Sequence, residues 1–257
     1  MPTVADTLRP ALLSPGELAD LVATTDEIAT WPAGSHVWGQ YAERTDSGVA
    51  ICRTENVSAC APPVAALVEG TLRDTASSFL GEAAVAFKDK INYKQPGGAG
   101  FRPHQDRVAY PGVDRVLSIL VAIDPCTNES GCLWLAGGVD AVLPVDDRGV
   151  VRDDVTATLD WQAAPLEPGD AVLLDGLAPH YSEANHSHAA RRVLVASYAP
   201  AAEGYSREQY YSARAATMQQ ASASDGRFRI STLADFEGVE VDTPDAATER
   251  CTHAPLA

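Results

Sequence analysis

The chain has 257 residues, of which 46% are hydrophobic and 21% are charged, the mixture of a folded globular protein rather than of a disordered or fibrous one. Aspartate and glutamate outnumber lysine and arginine by 35 to 19, which gives a formal charge of -16. That charge repels a phosphate backbone or an anionic membrane over most of the surface, so we expect neither nucleic acid nor a membrane as a partner. A small anion can still bind where the few cations are gathered in one pocket.

The length, the cysteines and the first residues together favour one cytoplasmic domain. A chain of this length is compatible with a single domain. The five cysteines are odd in number and form no Cys-x-x-Cys pair, which favours free thiols in a reducing compartment. The first residues show no basic region followed by an apolar stretch, and nowhere does a run of about 18 apolar residues occur. We therefore expect a cytoplasmic protein without a membrane span.

Two helices are predicted in the first third of the chain. Ser14 precedes a proline and has Glu17 three positions later, a capping box that is typical of a helix start. A second helix is predicted over "PPVAALVEGTLRDTASSFLG", residues 62–81, where apolar residues recur at helical spacing and the last glycine can end the helix. Both helices are expected to pack on the outside of another layer.

From Val85 onward the pattern changes to short apolar or alternating runs separated by Pro, Gly, Asp and Asn. Such runs indicate strands at the spacing of an all-β sandwich or barrel. They are "VAFKDKINYK", "RVLSILVAI", "CLWLAGG", "ATLDWQAAP", "DAVLLDG" and "RRVLVASYA". The predicted fold is mainly β with flanking helices, a double-stranded β-helix of the jelly-roll or cupin-like kind.

A late helix and a tail complete the predicted domain. Ser206, with Gln209 at the third position, is predicted to begin the late helix, and the tail after Gly238 is expected to be loosely ordered. We predict one domain over 1–257. It consists of a helical N-terminal part (about 1–82), a jelly-roll core (about 83–200), and a C-terminal helix and tail (201–257).

A histidine and a carboxylate stand two residues apart in "GGAGFRPHQDRVAYPG", at His104 and Asp106. Residues two apart in an extended strand point to the same face, so both side chains can converge on a divalent metal. A third ligand is available in His180, at the far end of the strand "DAVLLDG", and Arg191 follows eleven residues later. Two imidazoles and one carboxylate leave open coordination positions, as in non-haem Fe(II) oxygenases. A structural zinc site would use four protein ligands, usually with cysteine.

Four segments resemble the phytanoyl-CoA dioxygenase family of Fe(II)/2-oxoglutarate oxygenases. They are "HQD" (104–106), "GCLWLAGG" (131–138), "PGDAVLLDG" (168–176) and "HYSEANHSHAARR" (180–192). The segment "KDKINYKQPGGAGFRPHQD" is most similar to bacterial members that act on small polar molecules, including aminoalkylphosphonate hydroxylases and natural-product tailoring enzymes. Tyr181 departs from the pattern, because a glycine is commoner at that position.

The resemblance implies a set of site residues. It makes His104, Asp106 and His180 the iron ligands, and it assigns Arg191 to the far carboxylate of 2-oxoglutarate. A guanidinium suits that task because its planar fork can hold both carboxylate oxygens. Hydroxyls near the same co-substrate are expected from Ser182 and Ser118. A second His-x-His pair, at 186 and 188, is more typical of a loop than of a metal site.

The strand "FKDKINYK" places Lys88, Lys90, Asn92 and Lys94 on one face. Two interpretations are open. Lysines protect solvated edge strands from pairing with another chain. Alternatively, Lys90 and Asn92 face the interior of the barrel and help to bind 2-oxoglutarate or an anionic substrate.

The predicted function is an Fe(II)- and 2-oxoglutarate-dependent dioxygenase that uses O2 to oxidise a C–H bond of a small polar metabolite or natural-product intermediate, releasing succinate and CO2. Hydroxylation is the expected outcome, and oxidative cyclisation or desaturation with the same cofactors is the alternative. A non-catalytic jelly-roll binding module and a cupin-like metal enzyme without 2-oxoglutarate are the alternatives of other classes. The residues decide neither the substrate nor the oligomeric state.

Overall fold

The computed structural model describes residues 7–31, 39–225, 230, 231, 233 and 235–241, with the backbone alone over 217–225. Its strands are β1 (Leu8–Arg9), β2 (Gly39–Thr45), β3 (Gly48–Glu55), β4 (Ala84–Lys94), β5 (Phe101–His104), β6 (Leu117–Ala122), β7 (Leu133–Ala136), β8 (Trp161–Ala164), β9 (Ala171–Asp175), β10 (His180–Ser182), β11 (Arg191–Pro200) and β12 (Val239–Val241). Its α-helices are α1 (Pro15–Ile28), α2 (Pro62–Glu69), α3 (Thr71–Leu80), α4 (Asp153–Thr156) and α5 (Arg207–Asp225). Single turns of 3-10 helix lie at Val57–Ala59, Asp106–Ala109 and Ala201–Glu203.

The strands form two antiparallel sheets, as the predicted jelly roll requires. The larger sheet has the order β1-β9-β6-β11-β4-β3-β2-β12, and the smaller one has the order β5-β10-β7-β8. Both sheets contribute side chains to one cavity, which therefore lies between them. The prediction of a mainly β jelly roll with flanking helices is confirmed.

The main core lies on the outer face of the larger sheet, where helices α1, α2 and α3 pack. Apolar side chains of the central strands, such as Ile91, Ile119 and Leu194, contact buried residues of these helices, such as Leu21 and Leu72. Because side chains alternate along a strand, their neighbours in sequence point to the opposite face, toward the smaller sheet. That inner face carries the polar side chains of the cavity.

The N-terminal part, predicted to be helical, also contains the hairpin β2–β3. This hairpin extends the larger sheet, with Arg53 of β3 opposite Asn92 of β4. The sequence prediction missed it because "GQYAERT" is mostly polar and the apolar run of "GVAICRTE" is only four residues long, which is a weak strand signal. The polar residues are accommodated because several of them face the cavity or pair with one another.

The predicted second helix is divided into α2 and α3 at Gly70, whose φ of -114° and ψ of -110° are not helical. A Cβ at this position would lie 2.6 Å from the carbonyl oxygen of Ala66, so the tight turn between the two helices requires glycine. The predicted end at Gly81 is confirmed by its left-handed φ of 76°.

Two predicted helix starts are confirmed by their capping hydrogen bonds. The Glu17 amide donates to Ser14 Oγ, and the Ser14 amide donates to the Glu17 carboxylate. The Gln209 amide donates to Ser206 Oγ, and the Ser206 amide donates to Gln209 Oε1. Both are reciprocal capping boxes.

Three residues of the tail, which was expected to be loosely ordered, form strand β12 and pair with β2. Residues 242–257, the rest of the tail, lie outside the described part of the chain. The lysine-bearing strand β4 is not an edge strand, because it lies between β11 and β3. The edge-protection interpretation of its lysines is therefore wrong.

Candidate active site

The strand pairing brings two of the predicted metal ligands together. His104 ends β5 and His180 begins β10, and the antiparallel register places these two residues directly opposite each other. Their imidazole rings lie 4.2 Å apart between centroids. Asp106 begins the 3-10 turn that follows β5, and one ligand atom from each of the three residues lies within 4.8 Å of the others. Among the described residues this is the one group of histidines and acids with such a geometry.

Hydrogen bonds fix the tautomers of both histidines. His104 Nδ1 lies 2.7 Å from the carbonyl oxygen of Arg102, and His180 Nδ1 lies 3.0 Å from that of Ala178. A carbonyl can only accept, so each Nδ1 carries the proton and each Nε2 keeps its lone pair. Burial and the neighbouring His104 lower the pKa of His180 to about 4. The imidazole is thus neutral near physiological pH, which is the form that binds a metal.

The carboxylate of Asp106 is held by a hydroxyl chain on the larger sheet. Ser118 Oγ donates to Asp106 Oδ2 over 2.7 Å and lies 3.0 Å from Ser197 Oγ. Burial alone would raise the pKa of Asp106, but the neighbouring histidines and lysines outweigh burial and lower it. The resemblance placed Ser118 beside 2-oxoglutarate, whereas its hydroxyl contacts the carboxylate of Asp106, and it is fully buried behind that residue.

Arg191 lies at one end of the cavity with an incompletely satisfied guanidinium. It is 5% exposed, its Nη2 donates to the carbonyl oxygen of Gly131, and its Nε has no hydrogen-bond partner. No carboxylate of a described residue forms an ion pair with it. A buried guanidinium without a counter-ion is costly, so an anion bound beside it would stabilise this side chain.

Lys94 and Ser182 share this end of the cavity with Arg191. Lys94 is opposite Arg191 in the β4–β11 register, and its ammonium donates to Ser182 Oγ over 2.9 Å and to the carbonyl oxygen of Glu183. Burial and the neighbouring Arg191 lower the pKa of Lys94 well below its ordinary value, whereas an anion bound between the two cations would favour the charged ammonium. All three residues line the cavity.

Gly131 packs against the same end. Its φ is +72°, and a Cβ there would lie 2.3 Å from the carbonyl oxygen of Glu183 and 3.0 Å from Lys94 Nζ. Both the left-handed backbone and the close approach therefore require glycine. Its carbonyl oxygen accepts from Arg191 and lies 3.4 Å from Lys94 Nζ, so this position fixes both cations.

The remaining predicted residues of β4 also line the cavity. Lys88, Lys90 and Asn92 are all on its wall. Asn92 Oδ1 accepts from Arg53 Nε over 3.0 Å, and Lys88 Nζ donates to the Tyr110 hydroxyl over 2.9 Å.

Arg53 and Asp235 are cavity residues that the sequence interpretation did not include. Arg53 lies on the hairpin strand that the sequence pattern missed. Asp235 is 2% exposed, its Oδ2 lies 3.4 Å from His104 Nδ1, and its Oδ1 has no hydrogen-bond partner. Arg53 belongs to no recognisable local motif, so only the long-range packing identifies it. The His-x-His at 186 and 188 takes no part in the metal-ligand group.

Comparisons with known proteins agree with this geometry. The family model described as phytanoyl-CoA dioxygenase matches residues 7–193. The chain belongs to the phytanoyl-CoA dioxygenase family. It is 36% identical over 233 residues to a methylphosphonate hydroxylase of Gimesia maris, covering 89% of this chain and 90% of that protein. It is also 36% identical over 199 residues to a 2-aminoethylphosphonate dioxygenase of an uncultured bacterium, covering 75% of this chain and 76% of that protein.

Solved structures share the fold of this chain. EctD from S. alaskensis, solved with 2-oxoglutarate and 5-hydroxyectoine, matches with a TM-score of 0.64 at 20% identity and covers 78% of this chain and 75% of its own. EvdO2 from Micromonospora carbonacea var. aurantiaca, complexed with 2-oxoglutarate, matches with a TM-score of 0.58 at 27% identity. The match covers 74% of this chain and 84% of EvdO2.

The protein is an Fe(II)- and 2-oxoglutarate-dependent dioxygenase, and the residues present fit both groups. The His-Asp-His donor set with free Nε2 lone pairs suits Fe(II) with open coordination positions, and the unpaired Arg191 suits a carboxylate. The metal-ligand group and Arg191 line one cavity between the two sheets. Among the described residues, no helix has the length and apolar character needed to span a membrane.

Proposed function

We propose that this dioxygenase hydroxylates a C–H bond of a small polar metabolite, and that small phosphonates are the first substrates to test. The observation that carries the proposal is the placement of the His-Asp-His group and the unpaired guanidinium of Arg191 in one cavity. Two relatives of 36% identity, named for methylphosphonate and 2-aminoethylphosphonate, support the choice of substrate.

We assign the iron to His104, Asp106 and His180. The carbonyl oxygens of Arg102 and Ala178 hold the two imidazole rings, and Ser118 holds the carboxylate. Such contacts around the ligands orient them and adjust their basicity. When bound, Fe(II) with 2-oxoglutarate and O2 supplies the oxidant for the C–H bond, and 2-oxoglutarate becomes succinate and CO2.

We assign the far carboxylate of 2-oxoglutarate to Arg191, with Lys94 and Ser182 beside it. Two cations and a hydroxyl in a buried pocket bind a carboxylate with charge-assisted hydrogen bonds. Lys94 was not among the co-substrate residues expected from sequence, and its contact with Ser182 supports adding it. The apolar wall formed by Leu120, Leu133 and Leu174 limits access of water to this end of the cavity.

The test is a coupled assay of the iron-loaded protein with 2-oxoglutarate and O2. Succinate is measured with and without methylphosphonate and 2-aminoethylphosphonate, and the organic product is identified by mass spectrometry. We expect substrate-dependent succinate and a product heavier by one oxygen atom. A product lighter by two hydrogen atoms would instead indicate desaturation or cyclisation. Absence of succinate under all conditions would contradict the proposal and favour a binding module.

A further inference from the structure

The lysines of this chain are concentrated in one strand. The sequence contains three of them, Lys88, Lys90 and Lys94, and all three lie on β4 and line the cavity. An acidic protein of formal charge -16 thus places every lysine inside. Because Lys94 belongs to the Arg191 end, Lys88 and Lys90 remain without an assigned ligand.

Lys90 lacks a partner among the described residues. Its ammonium forms no hydrogen bond and no ion pair with any of them, although it lines the cavity. Burial, Arg53 and Lys88 lower the pKa of Lys90 well below its ordinary value. Such a side chain is stabilised in its charged form by an anion that binds beside it.

Arg53 and Lys88 are held rigidly beside Lys90. Arg53 donates through Nε to Asn92 and through Nη1 to the carbonyl oxygen of Ile230 over 2.6 Å. Lys88 donates to the Tyr110 hydroxyl, and its ammonium lies 5.1 Å from the centroid of that ring. These contacts orient both cations, yet none of them supplies a counter-ion. Arg53 Nη1 does form an ion pair with Glu55 Oε1 over 3.3 Å, but Glu55 also pairs with Arg214 Nε over 2.7 Å, so one carboxylate serves two guanidinium groups.

Arg53, Lys88 and Lys90 form a cation group that is separate from Arg191 and Lys94. Lys90 and Lys94 are four residues apart along β4, or about 13 Å between their Cα atoms at the usual rise of a strand. Arg53 lies one strand further from β11, on β3. Side chains stand roughly perpendicular to the sheet, so we assign the two groups to different anions.

The charges facing the cavity point to a doubly charged ligand. Among the described residues, the five cations that line it are Arg53, Lys88, Lys90, Lys94 and Arg191, and the three carboxylates are Glu43, Asp106 and Asp235. Counted in their charged forms, which a bound anion favours for Lys90 and Lys94, these groups leave two positive charges in excess, and Fe(II) would raise the excess to four. The two carboxylates of 2-oxoglutarate reduce it to two. A substrate with a dianionic group would neutralise the cavity, which a buried site favours.

We propose that Lys90, Arg53 and Lys88 form an oxyanion subsite that binds the phosphonate or similar doubly charged oxyanion of the substrate, apart from the 2-oxoglutarate site at Arg191. The proposal rests on the proposed function and assigns the substrate's charged group to particular residues. Asn92 acts as a positioning residue, because its amide oxygen holds the guanidinium of Arg53.

The experiment measures binding without turnover. The protein loaded with Fe(II) and 2-oxoglutarate is titrated anaerobically with methylphosphonate and, in a second arm, with acetate, at mildly alkaline pH. We expect methylphosphonate to bind more tightly than acetate. Lys90→Met should raise the methylphosphonate Kd by about 30-fold or more and change the 2-oxoglutarate Kd by less than about twofold. Lys94→Met, the matched control on the same strand, should raise the 2-oxoglutarate Kd instead.

A measurement on the unsubstituted protein tests the subsite even where a variant fails to fold. Lysine acetylation followed by peptide mass spectrometry reports each of the three lysines separately. Methylphosphonate should protect Lys90 and leave Lys94 unprotected. An equal loss of 2-oxoglutarate affinity in Lys90→Met, or no protection of Lys90, would overturn the proposal. Methylphosphonate binding without succinate formation would support the subsite and contradict the proposed hydroxylation.

Discussion

Replacing Arg191 by alanine tests the predicted co-substrate site most directly. The guanidinium is buried, and it lacks an ion-pair partner among the described residues. Truncating one partner of a buried charge pair costs about 2 to 5 kcal/mol, much of it from the charge left unpaired. Lys94 remains at the same end and keeps part of the attraction. We therefore expect the lower part of that range, about 2 to 3 kcal/mol, or about 30- to 150-fold in the Kd of 2-oxoglutarate.

The adjacent residue provides a matched control. Arg192 points to the other face of β11, where its Nε lies 2.8 Å from Asp124 Oδ2 and its Nη2 lies 2.9 Å from Asp124 Oδ1. Arg192→Ala therefore removes the same side chain one position along the strand but leaves the cavity intact. Its expected effect on the 2-oxoglutarate Kd is less than about twofold.

The assay is anaerobic calorimetric titration of the Fe(II)-loaded variants with 2-oxoglutarate, together with metal analysis. Iron content should stay unchanged in Arg191→Ala, because the residue is not among the proposed ligands. An unchanged 2-oxoglutarate Kd in Arg191→Ala would refute the assignment. An equal loss in Arg192→Ala would show that the effect is not specific to the cavity.

Three further predictions concern the iron site. Alanine at His104, Asp106 or His180 should abolish iron binding, as measured by elemental analysis, while circular dichroism shows a folded protein. Full iron content in any two of the variants would contradict the triad. Ser118→Ala should raise the Fe(II) Kd by about 10-fold or more, because it releases the carboxylate of Asp106. An unchanged Fe(II) Kd would show that Ser197 or backbone groups are sufficient to hold this carboxylate. Asp235→Ala should weaken Fe(II) binding more than Asp235→Asn does, because asparagine keeps a polar oxygen of the same size beside His104 Nδ1, and equal Kd values for both variants would exclude this orienting role.

The sequence alone was sufficient to predict those elements that depend on residues close together in the chain. The two capping boxes use residues three positions apart, so the sequence is sufficient to predict the starts of α1 and α5. The strands of the jelly-roll core were recognisable because their apolar residues alternate or run together between turn residues. The short spacing of His104 and Asp106 also indicated the site, although Asp106 lies in the 3-10 turn after β5 and not in the extended strand that the prediction assumed.

The tertiary structure decided which residues meet across long separations. The alternation of β4 put its lysines on one face, but only the pairing of β4 between β11 and β3 showed that this face is interior. Ser118 meets Asp106 because β6 lies behind the 3-10 turn, a contact that no local spacing encodes.

Arg53 and Asp235 are the cavity residues that depend most clearly on the tertiary structure. They lie on the β2–β3 hairpin and in the C-terminal segment, far apart in sequence from the metal ligands. Both reach the cavity because distant strands pair and the chain closes over the smaller sheet, as the Phe101–Phe236 bridge shows. Sequence periodicity specifies which face of a strand is polar, whereas the partner of that face is set by hydrogen-bond register and burial, which depend on the whole chain.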